Sequence, residues 1–320
     1  MSKAAAALIA AGYAAGWGAA RRLPETLGHR IADAAADRAM ARRGPAVVQY
    51  ARNLRRVLGA DADPHRLYTE TAAGLRSYAR FWLETFRLPA MDRAEVSERF
   101  MAASTGMHHI RSAVDAGRGV VLVLPHSGNW DVAGMALAHT YGSLTSVAER
   151  LRPESLYRRF VGFRESLGME ILPLTGGATP TSTLLKQRLQ AGGIVCLLGD
   201  RDLTASGVPV TFFGEPTRMP AGPAMLATLT GADLCVAHLT YRPEADGRPG
   251  WWTEVSAPVE LPGSRLAERV RQGTQLVADG FARSIATRPR DWHMLQPLWL
   301  ADLPVGHAAT IDNSAKNDPT

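Results

Sequence analysis

Cysteine is scarce in this chain of 320 residues: only Cys196 and Cys235 occur, each inside an apolar run, IVCLL and LCVAHL. Two such thiols with no CxxC pair exclude a disulfide framework and a thiolate zinc site, and predict buried free cysteines in a reducing compartment. Lysine is nearly absent as well. Lys3, Lys186 and Lys316 are the only three, so the +6 formal charge is carried almost entirely by arginine. Arginine suits bidentate contacts to phosphates and anionic headgroups, but a GC-rich coding sequence also enriches it. The charge therefore permits an anionic membrane, CoA or nucleic acid as partner without requiring one. No nucleic-acid-binding motif accompanies it and aromatics are not interleaved with the arginines, so nucleic acid is not expected.

Long hydrophobic runs are missing too. The one candidate, MSKAAAALIAAGYAAGWGAARR, has Leu8 and Ile9 as its only strong hydrophobes, too weak for a spanning helix. Lys3 before an apolar stretch resembles the start of a signal peptide. Tyr13 and Trp17 one turn apart, with Arg21 and Arg22 at the end, fit an interfacial or packed helix better. The remaining composition, 46% hydrophobic and 21% charged, is that of an ordinary globular protein able to bury a core.

Three stretches follow from the texture. Residues 1–100 read as a helical region that packs or associates with membrane. The segments carrying Ile31, Ala35 and Met40, then Ala46 to Leu58, then Leu67 to Phe86, hold apolar residues at i, i+3/i+4. In the last of these Tyr78, Phe81, Trp82 and Phe86 form an aromatic stripe, either core or a wall for lipid. Residues 101–302 read as an α/β core. Helix Ile110 to Ala116 leads into GVVLVLP, then come helix 131–140, strand 144–148, helix 154–167, strand 169–172, helix 181–190 and strand 194–198. Strand 208–213, helix 221–230, strands 234–240 and 251–255 and helix 265–285 complete it. Strands alternating with helices predict an α/β fold with a mainly parallel central sheet flanked by helices. Residues 303–320 are polar and are expected to be disordered.

The chemistry concentrates in LVLPHSGNWD, residues 122–131. It leaves a buried strand and opens a helix, which places it at a carboxyl strand end where α/β active sites gather. His126 and Asp131 are separated by four residues, Gly128 among them, so a tight turn can bring the Asp131 carboxylate onto the imidazole. The carboxylate would orient the ring and stabilise the imidazolium formed when His126 acts as general base. The plainer alternative is that Asn129 or Asp131 caps the helix. Asp200, Arg201 and Asp202 also follow an apolar strand and reach the same edge, and charges there need partners. Glu149 and Arg150 end another strand at that edge, able to position an acceptor or to pair with each other. Arg218, in FFGEPTRMPAGPA, precedes a turn into a helix whose free N–H groups could meet an anion.

HSGNWD resembles the H-x4-D motif of glycerolipid-type acyltransferases, in the branch that includes the late acyltransferases of lipid A synthesis. The similarity is closer to the phosphatidylinositol mannoside acyltransferases of actinobacteria. It continues through VAERLRPESLYRRFVGFRESLGMEILPL, GDRDLTASGVPVTFFGEPTRMPAGPAMLA and DWHMLQPLWLADL, covering about residues 10 to 302. The resemblance implies transfer of a palmitoyl group from acyl-CoA to the 6-hydroxyl of a mannose on mannosylated phosphatidylinositol. It implies a peripheral protein on the anionic surface of the cytoplasmic face of the plasma membrane, with acyl-CoA as co-substrate and no cofactor or metal. It matches Arg164 to a family arginine near the reaction centre, where it could bind an anion or stabilise an oxyanion. The family's acidic partner of the histidine is a glutamate in an ERDL segment. Here GDRDL puts the shorter Asp200 in that place, so contact with His126 is expected to need a shifted backbone or a bridging water, or else Asp131 takes the role.

Other readings carry less. Ser127 as a hydrolase nucleophile lacks a GxSxG elbow and adjoins its own base. His108, His109, His126 and Asp131 lack the HExxH spacing of a metal site. Within the acyltransferases, a lipid A precursor or a lysophospholipid is the alternative acceptor.

Overall fold

The computed structural model describes residues 17–303 except 19, 151–152 and 203–205. The N-terminal stretch up to residue 16 and the tail from residue 304 lie outside the described residues. Helices α1 (Glu25–Arg42), α2 (Pro45–Leu58), α3 (Pro64–Arg87), α4 (Arg93–Ala103) and α5 (Met107–Asp115) come first. Their starts are set locally. Pro45 and Pro64 occupy first-turn positions where a missing N–H costs nothing, and the Asp63 carboxylate accepts from Arg66 N–H at 3.0 Å. Trp17 is buried against Phe86 and Phe163, with ring centroids 5.1 Å from each, so this aromatic packs in the core.

The α/β part follows: β1 (Val120–Leu124), α6 (Trp130–Tyr141), β2 (Leu144–Ala148), α7 (Glu154–Ser166), β3 (Met169–Pro173), α8 (Thr181–Gln190) and β4 (Ile194–Leu198). A hairpin of β5 (Val208–Phe212) and β6 (Glu215–Met219) precedes α9 (Gly222–Thr230), β7 (Asp233–Pro243), β8 (Pro249–Val255) and α10 (Leu266–Thr287). The six-stranded sheet has the order β3-β2-β4-β1-β7-β8, parallel except for the antiparallel edge strand β8. The mainly parallel, helix-flanked α/β sheet expected from the alternation is therefore observed. The β6 strand and the pairing of β5 with it, instead of with the main sheet, were not anticipated. The segment EPTRM has too few apolar residues to signal a strand by itself.

Both faces of the sheet are covered, which explains why β1 is apolar at every position. Val120, Leu122 and Leu124 enter one core with α4, α6 and α7, while Val121 and Val123 enter a second with α8, α9 and α10. The order also fixes a crevice. From β1 the chain leaves toward β2 on one side, and from the adjacent β4 it leaves toward β7 on the other. Ligands of open α/β sheets bind at such a reversal, beyond the carboxyl ends of the strands.

Candidate active site

β1 and β4 pair in parallel with Leu124 opposite Leu198. Two residues further on, the same register sets His126 opposite Asp200. Neighbouring strands lie ~4.8 Å apart, so an aspartate is long enough to reach across. Asp200 Oδ1 is 2.6 Å from His126 Nδ1, and Asp200 Oδ2 accepts the His126 main-chain N–H at 2.9 Å. The contact is direct, which corrects the expectation of a bridging water, and the in-register pairing of β1 and β4 lets an aspartate span it. Asp200 is fully buried. Burial alone would raise its pKa, but the adjacent His126 ring and the donors from His126 and Trp292 outweigh that and hold it below the usual carboxylate range. Because an ionised carboxylate only accepts, Nδ1 of His126 carries a proton, so in the neutral imidazole it is Nε2 that has the free lone pair.

Asp131 does not turn back onto the imidazole. Asn129 caps α6, its side-chain oxygen accepting from the N–H of Asp131 at 3.2 Å and of Val132 at 3.1 Å. That places Asp131 in the first helical turn, where Arg164 Nε donates to its Oδ1 at 2.8 Å and Thr85 to its Oδ2 at 3.3 Å. The turn that was expected to bring Asp131 to His126 instead seats the cap and brings Asp131 to Arg164. Gly128 makes this loop possible. Its φ is 56°, and a Cβ there would come within 2.8 Å of the Leu239 backbone.

His126 opens onto a cavity of about 130 Å³ lined by Tyr78, Phe81, Trp82, Phe160 and Trp130 on its aromatic side and by Asp131, Arg164 and Arg201 on its charged side. The imidazole stands edge-on to Trp130, with centroids 5.6 Å apart and planes at 84°. In the aromatic stripe of α3, Phe81 is buried in the core, and Tyr78, Phe81 and Trp82 all line the cavity.

The other expected residues fall elsewhere. Arg150 pairs with Glu154 at 3.0 Å, not with Glu149, which is exposed at the end of β2. Asp202 accepts the Gly207 N–H at 2.6 Å and Arg218 donates to the Gly207 carbonyl at 2.9 Å, so both brace one loop. The Ser127 hydroxyl is buried with no hydrogen-bond partner among the described residues, which gives it no base to activate it as a nucleophile. Cys196 and Cys235 are free thiols whose pKa burial pushes up to about 12.

Sequence reasoning missed two contributors, Glu84 and the segment 291–293. Glu84 on α3 is buried and accepts from Asn129 at 2.8 Å and from Trp251 Nε1 at 2.9 Å. The segment 291–293 runs beside the His126 loop, with Gly128 N–H donating to Asp291 O at 2.9 Å and His293 N–H to His126 O at 2.7 Å. His293 also lines the cavity. Ser77 donates its one hydroxyl hydrogen to Asp291 Oδ1 at 2.8 Å, so His293 Nε2, 2.9 Å from that hydroxyl, must be a donor and Nδ1 unprotonated. The signal available was DWHMLQP itself, a cluster of Asp, Trp and His outside any predicted strand or helix.

Burial, aided by neighbouring His126, pushes the His293 pKa down to about 3, and burial beside Arg242 pushes His238 to about 4. Both rings are neutral when folded, whereas an unfolded histidine protonates near ~6.5. Between those values the unfolded chain binds more protons, so stability should be intact above about pH 6.5 and fall as the pH drops, by up to about 1.4 kcal/mol per unit for each ring. Thermal unfolding between pH 7.5 and 4.5, wild type beside His238→Gln, reads this. The variant should lose about one proton of slope, and equal slopes would refute it.

The family model described as bacterial lipid A biosynthesis acyltransferase matches residues 3–301. A phosphatidylinositol mannoside acyltransferase from Mycolicibacterium smegmatis is 50% identical over 295 residues, 91% of this chain and 91% of that protein. One from Mycobacterium tuberculosis is 48% identical over 301 residues, 93% of this chain and 91% of that protein.

Proposed function

The chain belongs to the bacterial lipid A biosynthesis acyltransferase family, and on that premise we propose that it moves a long acyl group, palmitoyl by preference, from acyl-CoA to the 6-hydroxyl of a mannose of phosphatidylinositol mannosides. The observation that carries the chemistry is the His126–Asp200 contact of 2.6 Å at a cavity with an aromatic and a cationic side. The acceptor is supported by relatives of that name at 48–50% identity over nearly the whole chain.

His126 Nε2 takes the proton from the sugar hydroxyl as its oxygen attacks the thioester carbonyl. Asp200 holds Nδ1–H and stabilises the imidazolium. The tetrahedral intermediate places a negative oxygen near Arg164 and Arg201. Arg164 commits its Nε–H to Asp131 and keeps its terminal N–H groups for that oxygen or another anion. On collapse the carbon–sulfur bond breaks, the carbon–oxygen ester bond remains, and the imidazolium returns its proton to the thiolate. No acyl-enzyme is required. The cavity has room for about four waters at ~30 Å³ each, enough for the reacting centre, with the acyl chain and glycolipid extending beyond it.

No described helix is long and apolar enough to cross a membrane. Leu27, Ile31, Val48 and Tyr68 are exposed on α1, α2 and α3, which supports peripheral docking on the anionic cytoplasmic leaflet. The test is purified protein with labelled palmitoyl-CoA and a panel of acceptors: phosphatidylinositol mannosides, a lipid A precursor and a lysophospholipid. Label should enter the mannoside at least tenfold faster than the others. Preferential labelling of another acceptor would replace the proposed substrate while keeping the reaction class.

A further inference from the structure

We infer that Trp292 is a positioning residue of the site: its indole N–H fixes the rotation of the Asp200 carboxylate so that the oxygen facing His126 Nδ1 is held in line. The inference rests on the reading of His126 as the base. Trp292 Nε1–H donates to Asp200 Oδ2 at 2.9 Å, and the His126 main-chain N–H donates to the same oxygen at 2.9 Å. With Oδ2 taken by a main-chain N–H and an indole N–H, Oδ1 is left for the imidazole at 2.6 Å. A carboxylate has one soft terminal torsion, and two fixed donors on one oxygen remove that freedom in a place water cannot enter.

The indole is itself well seated. It is fully buried in the second core, edge-on to Phe212 at 6.0 Å and to Trp299 at 6.1 Å. Its backbone pairs with Ser127 in an isolated antiparallel bridge, so the loop carrying the base and the segment carrying the indole move as one unit. Tryptophan supplies a large apolar body for the core and a single donor at its edge. Phenylalanine would supply only the first. The charged and titratable groups around the imidazole are Asp200, Asp131, Arg164, Arg201 and His293, and none of the other four donates to Oδ2.

The experiment compares Trp292→Phe, and a form with 3-benzothienyl-alanine at position 292 that keeps the ring shape without the N–H, against wild type and Trp299→Phe. Trp299 is an equally buried indole whose N–H goes to the Phe212 carbonyl at 2.9 Å, so its loss costs packing and a hydrogen bond away from the site. Two readouts are taken. By proton NMR, the downfield Nδ1–H resonance of His126 should broaden and move upfield in both 292 variants and stay in place in Trp299→Phe. In the acyl-transfer assay kcat should fall about tenfold, the effect of one charge-assisted hydrogen bond, with KM within twofold. The NMR readout needs no turnover, so a wrong substrate assignment would silence the assay and leave the resonance to decide. A resonance unmoved in the benzothienyl form, or moved equally by Trp299→Phe, would overturn the inference.

Discussion

His126→Ala should reduce acyl transfer by on the order of 10²-fold or more, the usual worth of a positioned general base. Saturating donor will not restore it, because the lost step is proton removal and not binding. The variant also strips Asp200 Oδ1 of its only side-chain donor among the described residues and leaves a fully buried carboxylate short of one partner. A loss of stability is therefore expected beside the loss of rate, and must be separated from it. His126→Asn does this. Its amide nitrogen lies near the former place of Nδ1 and can still donate to Asp200, while nothing occupies the place of Nε2. His126→Asn should melt closer to wild type than the alanine variant and be equally inactive. Initial rates with labelled acyl-CoA, beside thermal unfolding of all three proteins, provide the check. A His126→Asn protein with rates within threefold of wild type would remove the imidazole from the mechanism.

Asp200→Asn should be nearly as severe in rate, on the order of 10²–10⁴-fold by analogy with the catalytic triad, where the same exchange upsets the histidine tautomer. Among the described residues three N–H donors converge on Asp200: His126 Nδ1, the His126 main chain and the Trp292 indole. An amide has one oxygen. If that oxygen stays with the two donors now on Oδ2, the NH₂ faces Nδ1 and drives the proton of the ring to Nε2. The ring then offers a donor where a base is needed. The ¹⁵N shifts of the imidazole distinguish the tautomers directly, so the prediction has a structural reading as well as a kinetic one. An Asp200→Asn enzyme that retains the wild-type tautomer and rate would show that the carboxylate charge is dispensable.

The sequence pointed to His126 and left its partner open, for a reason that is physical. HSGNWD is a local pattern, and its strand-end position and turn could be read from residues a few apart. Asp131 looked suitable because it is near in sequence. Asn129 capping α6 is what turns Asp131 away toward Arg164. The pairing of His126 with Asp200 depends on β1 lying next to β4, with β2 and β3 further out, and strand order is not contained in periodicity. The alternation of helices and strands was legible because each element buries a face at its own period. Glu84 was not, since a buried acid on an aromatic helix looks like any polar position until Asn129 and Trp251 are brought to it. Nor was the 291–293 segment, which has neither period and acquires meaning only by lying beside residues 126–128.

That last contact bears on how the protein matures on the ribosome. The imidazole and its carboxylate emerge early, but the indole that steadies them, and the backbone that braces their loop, come from residues 291–293. A nascent polypeptide that has yet to release those residues holds Asp200 without its Trp292 donor. On the proposed mechanism, a chain cut short of residue 291 lacks both the indole donor to Asp200 and the backbone brace of the His126 loop, and is expected to transfer no acyl group even where its sheet forms.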